Sequence, residues 1–259
     1  MERVRTAFRD ECAQLDGVLR TLTVGDLDRR TPCPPWAVRD LVAHVRTGAG
    51  RLVDMIAAPA PPRAEVDAAD YFGAAKFTPE VDAARIDAAR IEAARIEAGR
   101  VEAARIEAGR VEAGRREARV AGTARGSRDT AAREPGEVAA AFAAAWRATY
   151  AAVGGQPADR VVRTRHGDAM TLADFLVTRV VEVGVHGLDL AVALDREPWL
   201  TRTAAEVIVE LLAGGRPVPA GLGADPLTLV RKATGRTPLT TSERARAEAA
   251  GFRWLAFGG

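Results

Sequence analysis

The segment from Thr171 to Leu194 constrains the fold most strongly, because it is apolar almost all round and has the composition of a helix. Thr171 followed three residues later by Asp174 is typical of a capping box at a helix N-terminus. Most of the following positions are apolar: Phe175, Leu176, Val177, Val180, Val181, Val183, Val185, Leu188, Leu190, Val192 and Leu194. A helix of this kind belongs in the interior of a helical bundle, where neighbours cover every face.

This helix carries one polar stripe. Between Leu176 and Leu194 its only charged or imidazole side chains are Arg179, Glu182, His186 and Asp189. Their spacings of three, four and three residues place all four on the same face of the helix. Burying an unpaired charge is expensive, so the stripe must be satisfied by partners from neighbouring helices or by a bound ion.

Glu182 and His186 are spaced to hold one metal ion between them. Side chains four residues apart on a helix have Cβ atoms roughly 5–6 Å apart, which suits two ligands of the same ion. The best third ligand is His44, which lies beside Leu41 and Val45 on the edge of the apolar face of a preceding helix, so it is expected to point inward. Two histidines and one carboxylate with an open fourth position are typical of a catalytic zinc site.

Other interpretations of these polar residues remain open. Glu182 could pair with Arg179 or Arg39, and His44 could be an ordinary buried histidine. Arg179 could hold a substrate carboxylate as a catalytic residue, or form a structural ion pair with Glu182 or Asp189. Asp189 could also orient a metal ligand by hydrogen bonding.

The sequence also allows a prediction of the location of His166 and of the role of Cys33. His166 is expected in a turn beside Gly167, at the rim of the molecule rather than at its centre. Cys33 lies between two prolines and could be a thiol ligand or nucleophile, although a small buried hydrophobic residue is its more usual role.

The sequence outside this helix predicts further helices and few strands. Apolar residues at helical spacing predict helices over about residues 2–22, 38–56 and 138–150, with shorter ones near 203–212, 227–233 and 241–250. A rigid proline-rich loop, residues 31–36, precedes the second helix. One short extended piece, residues 160–165, is followed by a turn. The predicted fold class is all-α, a helical bundle with a small C-terminal appendage.

A low-complexity tract of five-residue repeats runs from about residue 81 to 119, with arginine at every fifth position from 85 to 115. Its composition favours helix. Five residues turn a helix by roughly 500°, so the repeated Ile and Val positions step by about 140° and point in all directions. No continuous apolar stripe results, so we expect a solvated, dispensable insertion, with a partner-binding rod as the alternative.

Composition excludes several classes of protein. The 37 Lys and Arg residues nearly balance the 35 Asp and Glu residues, which argues against a dedicated nucleic-acid binder. The N-terminus is charged from its second residue, and no apolar run reaches the roughly 18 residues of a membrane span. Two cysteines cannot form a disulfide framework. A cytoplasmic protein without membrane partners is therefore expected.

Two motifs resemble those of a known family. PCPPWAVRDLVAHV at residues 32–45 is similar to the CPGWxVRDLxAHL signature of the mycothiol-dependent maleylpyruvate isomerase family. MTLADFLVTRVVEVGVHGLDLAVAL at residues 170–194 resembles the RVxExxVHxxDLAxAL helix of that family. ATGRTPL at residues 233–239 is similar to a GR segment near the C-terminus of many members. The family belongs to the DinB/YfiT-like metalloenzyme superfamily.

The resemblance implies a fold and a site. It implies a DinB-like four-helix bundle over residues 1–195, interrupted by the repeat tract at about 81–119 and followed by a short helical C-terminal extension, residues 196–259. It also implies a divalent metal, commonly zinc, bound by His44, Glu182 and His186.

The resemblance also implies an activity. The expected enzyme uses mycothiol as a thiol cosubstrate for isomerisation or S-transfer on a small electrophilic substrate. Its expected partners are therefore small molecules rather than nucleic acid or membrane. The alternative is a non-catalytic bundle that binds a metal or a small molecule.

Overall fold

A computed structural model of the chain describes residues 1–72, 135–218, 222 and 225–252. The long helices are α1 (Glu2–Leu19), α3 (Val38–Gly50), α6 (Pro135–Val153), α7 (Leu172–Ala193) and α8 (Arg202–Ala213). The shorter helices are α2 (Val24–Leu27), α4 (Leu52–Ala57), α5 (Ala68–Tyr71), α9 (Pro226–Ala233) and α10 (Thr241–Ala249). The two strands are β1 (Val161–Arg163) and β2 (Ala169–Thr171).

Four of these helices form the predicted bundle. α1 packs against α6 and α7, and α3 packs against the same two helices, so the four surround one core. The core consists of apolar side chains from all four: Phe8, Leu15, Leu41, Val45, Phe142, Phe175, Leu176 and Val180 are almost fully buried. Burial of this apolar surface is the main source of stability for such a bundle. The prediction of an all-α fold built on a bundle of four helices is confirmed.

α7 is buried along most of its length, as its apolar sequence requires, although Val192 near its C-terminal end is exposed. α8 covers the part of its surface that the other bundle helices leave open, and also contacts α1. Two glycines of α7 allow the residues just before α8 to pack closely against α7. A Cβ added at Gly184 would lie 2.9 Å from Leu200, and one added at Gly187 would lie 3.0 Å from Trp199. Side chains at these two positions would therefore force the two segments apart.

The predicted extended piece is the first strand of a β-hairpin that leads into α7. β1 and β2 pair antiparallel with Val162 opposite Met170, and Gly167 adopts a positive φ of 92° in the turn. Thr171 is the N-cap of α7, and its hydroxyl accepts a hydrogen bond from Asp174 N at 3.0 Å. The Asp174 carboxylate accepts from the Thr171 hydroxyl at 2.6 Å, where a capping box would use the Thr171 backbone N–H.

The second predicted helix, residues 38–56, is divided into α3 and α4 at Arg51. The sequence just before the division is Gly48-Ala49-Gly50, and glycine is a poor helix former. Gly50 also allows close packing on α6, because a Cβ there would lie 3.2 Å from the Cβ of Ala145. The predicted helix at residues 2–22 ends at Leu19.

The C-terminal helices lie near their predicted positions, with α9 packing on α8. Chain segments from both sides of the repeat tract belong to one compact unit. The predicted tract helix, residues 81–119, lies outside the described residues. Within the part of the chain that is described, no helix combines the length and apolar character needed to cross a membrane.

Candidate functional site

The candidate site lies between α3 and α7, and the proline-rich loop before α3 forms one of its walls. The Thr31 hydroxyl donates to the Trp36 carbonyl at 2.8 Å, which holds the two ends of this loop together. Asp40 accepts a hydrogen bond from Ala37 N at 2.9 Å at the start of α3. The Trp36 indole therefore packs on the His44 imidazole, with 4.7 Å between ring centroids.

Three side chains predicted as metal ligands converge in this site. Nε2 of His44 lies 3.5 Å from Oε2 of Glu182, and Nε2 of His186 lies 3.6 Å from the same oxygen. One donor atom from each of the three side chains lies within 4.8 Å of the others. The proposed ligand set thus comes together from two facing helices.

The spacing of these atoms fits a tetrahedral ion. Zinc bonds to nitrogen and oxygen of about 2.0–2.2 Å place neighbouring ligand atoms roughly 3.3–3.6 Å apart. The two separations that involve Glu182 are close to this range. These two separations suit a shared divalent ion, and two imidazoles with one carboxylate form a donor set that zinc uses in catalytic sites.

The electrostatics of two of these residues suit cation binding. Burial lowers the pKa of His44, and the nearby Glu182 offsets this only in part, so His44 is neutral at pH 7. Burial acts to raise the pKa of Glu182, but the close imidazoles of His186 and His44 and the charge of Arg179 hold it well below its ordinary value. Neutral imidazole and ionised carboxylate are the forms that ligate metals.

His186 lies between two carboxylates. Burial acts to lower its pKa, but hydrogen bonds to Asp189, Cys33 and Glu182 raise it well above its ordinary value. Nδ1 of His186 lies 3.0 Å from Oδ2 of Asp189, while Nε2 faces Glu182. Metal-ligating histidines commonly donate their second N–H to a carboxylate in this way, which fixes the ring and its tautomer. Ligation through Nε2 requires loss of the proton on that nitrogen.

Arg236 contacts the candidate site, and the sequence motifs did not single it out. Its guanidinium donates two hydrogen bonds to Asp189, and Nη1 also donates to the Thr234 carbonyl at 2.6 Å. It lies in the ATGRTPL segment, whose resemblance to the family GR segment was the available signal. Asp189 therefore connects His186 to the C-terminal part of the chain.

Cys33 also reaches this network. It is half-buried, and its thiol donates a hydrogen bond to Asp189 Oδ2 at 3.3 Å. With His186 and Asp189 it forms a second group of potential ligands within 4.8 Å. Both oxygens of Asp189 already accept from Arg236, so the group with His44 and Glu182 is the better metal site.

Arg179 lies one turn before Glu182, with its side chain only 6% exposed. Its Nη2 is 3.9 Å from Glu182 Oε1, and its guanidinium stacks on the Phe175 ring at 4.7 Å from the centroid. The ion pair with Glu182 that the sequence left open is therefore present at long range. Arg39 instead pairs with Asp28, away from the stripe.

His166 lies on a different element from the two other histidines. It is exposed in the turn of the hairpin, where its Nε2 accepts a hydrogen bond from Arg165 at 3.1 Å. Neither group of potential metal ligands among the described residues includes it.

Comparison with known proteins identifies one matching family. The model of the mycothiol maleylpyruvate isomerase N-terminal domain matches residues 8–130 and 90–191. Together these ranges span more than half of the chain and include His44, Glu182, His186 and Asp189. Searches of curated proteins and of solved structures returned no significant match.

Proposed function

Because this chain belongs to the mycothiol maleylpyruvate isomerase N-terminal domain family, we propose that it is a metal-dependent enzyme that uses a low-molecular-weight thiol. The proposed thiol is mycothiol, and the proposed reaction is isomerisation or S-transfer on a small electrophilic substrate. The partners are then small molecules, with no nucleic acid or membrane partner. The cytoplasmic location expected from the sequence is part of the same proposal.

One observation carries this proposal. His44 from α3 meets Glu182 and His186 from α7, with the donor atoms close enough to share one ion. Both helices also contain the motifs that resemble the family signatures. A buried cluster of two imidazoles and a carboxylate without a bound cation would be an unusual arrangement for a purely structural core.

The residues around the cluster have separate tasks in this proposal. When bound, a divalent ion would supply a Lewis acid that lowers the pKa of a thiol at its open position. Two neutral imidazoles and the single carboxylate of Glu182 leave part of the charge of such an ion uncompensated, which favours a thiolate over a neutral thiol. Asp189 holds His186 in the orientation that directs Nε2 toward Glu182.

Arg179 is proposed as a catalytic residue that binds and positions the substrate. It lies beside Glu182 with a buried, positively charged side chain, so it can attract a carboxylate to the side of the cluster. Its ion pair with Glu182 is long, at 3.9 Å, so Arg179 can pair with Glu182 and also bind a substrate carboxylate.

The test uses the full chain loaded with zinc, mycothiol, and a panel of electrophiles that includes maleylpyruvate. Loss of thiol and isomerisation are followed for the loaded protein, for chelator-treated protein and for His186→Ala. The proposal expects turnover that is lost in both controls. Equal rates in all three samples would contradict it and would support the alternative, a non-catalytic bundle that binds a metal or a small molecule.

A further inference from the structure

The guanidinium of Arg179 has a buried donor that none of the described residues satisfies. Its Nε donates to the Thr178 hydroxyl at 3.1 Å, but Nη2 has no hydrogen-bond partner among the described residues. Oε1 of Glu182, at 3.9 Å, is beyond hydrogen-bond range. Stacking on Phe175 stabilises the charge but supplies no acceptor in the plane of the guanidinium. Burying a charged donor without an acceptor costs free energy, and a bound ligand that supplies an acceptor would remove this cost.

A second guanidinium approaches the same region. Arg51 is half-buried at the junction of α3 and α4, one turn after Gly48. Gly48 marks the point where the Arg179 guanidinium lies against α3, because a Cβ at Gly48 would be 3.0 Å from Nη1. Residues three apart share a helix face, so Arg51 starts from the side of α3 that the Arg179 guanidinium contacts. The two charges are close enough to act on each other.

Among the described residues, the charges that act on Arg51 include two guanidinium groups and one carboxylate. Burial lowers the pKa of Arg51, and the nearby charges of Arg165 and Arg179 lower it further, while Tyr71 and Glu182 act in the opposite direction. Among these four neighbours, Glu182 is the only carboxylate. It also lies in the ligand cluster with His44 and His186, so its charge is shared. Half-buried like charges destabilise one another unless an anion lies between them.

We propose that Arg51 and Arg179 form a subsite for the oxyanion group of a small-molecule ligand, either a carboxylate or a phosphate. The planar guanidinium presents paired donors that match the spacing of two oxygens in either group. Arg165 adds positive charge from the turn of the hairpin. Glu182 borders both this subsite and the ligand cluster, so a ligand anchored here has its remaining atoms beside the three proposed metal ligands.

This subsite rests on the two arginines and does not require a metal ion, so it can be tested separately from the proposed reaction. Chelator-treated full-length protein is titrated by calorimetry with inorganic phosphate and, in a second arm, with succinate. We expect saturable binding of at least one of these anions. The anion that binds more tightly identifies the group as phosphate or carboxylate.

Two variants examine the residues, with circular dichroism confirming that each is folded. Arg51→Gln removes one guanidinium at a half-buried position and is expected to weaken binding by about tenfold or more. Gly48→Ala keeps both charges, but its methyl group meets Nη1 of Arg179, so it is expected to weaken binding as well.

Arg202→Gln is the matched control. It removes one positive charge from α8, where the side chain is 91% exposed and pairs with Glu206. Its affinity should equal that of the unmodified protein, because an exposed charge at this position is screened by solvent. Absence of saturable binding of either anion by the unmodified chain would overturn the proposal. Unchanged affinity in Arg51→Gln, or an equal loss in Arg202→Gln, would also overturn it.

Discussion

Arg236 donates two hydrogen bonds to Asp189, from Nε to Oδ1 at 3.0 Å and from Nη2 to Oδ2 at 2.7 Å. The same Oδ2 lies 3.0 Å from Nδ1 of His186. Burial acts to raise the pKa of Asp189, but the hydrogen bonds of His186 and Arg236 and the charge of Arg236 hold it well below its ordinary value. An ionised, immobilised carboxylate therefore fixes His186 from behind, and the C-terminal part of the chain fixes the carboxylate.

From this relationship we predict that Asp189→Asn weakens zinc affinity by roughly 10–100-fold while leaving the fold intact. The amide lacks the charge that holds the His186 N–H, and Arg236 loses its ionic partner. Affinity is measured by competition with a chromophoric chelator. Asp28→Asn is the control, because Asp28 is an exposed partner of Arg39. Equal affinities in the two variants would contradict a positioning role for Asp189.

Replacing a proposed ligand should have a larger effect than replacing Asp189. The unmodified protein is expected to retain about one divalent ion per chain after dialysis, and His44→Ala, Glu182→Ala and His186→Ala should each lose it. Elemental analysis by mass spectrometry gives the stoichiometry. His166→Ala is the matched control, because this third histidine is exposed in the hairpin turn. Retention of a full equivalent of metal by all three ligand variants would refute the site.

The buried Glu11 should make stability depend on pH. Its Oε2 accepts hydrogen bonds from Thr201 N at 2.8 Å and from the Thr201 hydroxyl at 2.6 Å, which fixes the N-terminus of α8. Burial raises the pKa of Glu11 despite these hydrogen bonds. The folded state therefore binds the proton more tightly than the unfolded state does. The contribution of Glu11 to the free energy of unfolding falls as the pH rises from below its unfolded pKa through its folded pKa.

Glu11→Gln removes this titration and keeps an acceptor for Thr201. The free energy of unfolding of the variant, relative to the unmodified protein, should therefore increase between pH 4 and pH 7. Urea denaturation at several pH values measures it. Glu206→Gln, at an exposed position on α8, is the control and should show a smaller pH-dependent difference. A constant difference for Glu11→Gln across the pH range would show that burial does not perturb this carboxyl.

The nearly all-apolar sequence of α7 predicts that this helix lies inside a bundle. The spacing of its polar residues predicts that they share one face. The spacing of Glu182 and His186 determines their common face, and the apolar neighbours of His44 direct it inward. Arg236 was not predictable in the same way, because its contact with Asp189 joins residues 47 positions apart through tertiary packing. No local periodicity reports such a contact.

The division of the second helix at Arg51 was missed for a related reason. The glycines before it were visible in the sequence, but glycine within a helix is often tolerated. The close approach of Gly50 to Ala145 on α6, and of Gly48 to Arg179 on α7, is what gives these glycines their importance. The short helices α2 and α5 have four residues each, too few to show an apolar period.

The repeat tract should be dispensable for the stability of the bundle. Its apolar positions point in all directions around a helix, so the tract has no continuous face with which to pack on the core. Replacing residues 81–119 with a short Gly/Ser linker should therefore leave the midpoint of thermal unfolding nearly unchanged. Leu41→Ala in the full chain shows that the measurement detects lost packing, because this fully buried residue should cost ~2–5 kcal/mol.

A decrease on the order of 10 °C or more on removal of the tract would contradict this prediction and show that the tract packs on the core. Size-exclusion chromatography of the same two proteins tests the alternative role of the tract as an assembly rod. A helix of 39 residues would be about 60 Å long, so its removal should reduce the apparent size of a monomer modestly. The compact unit that carries the ligand cluster is the same in both proteins. If removal of the tract instead converts an oligomer to a monomer, the tract therefore mediates association.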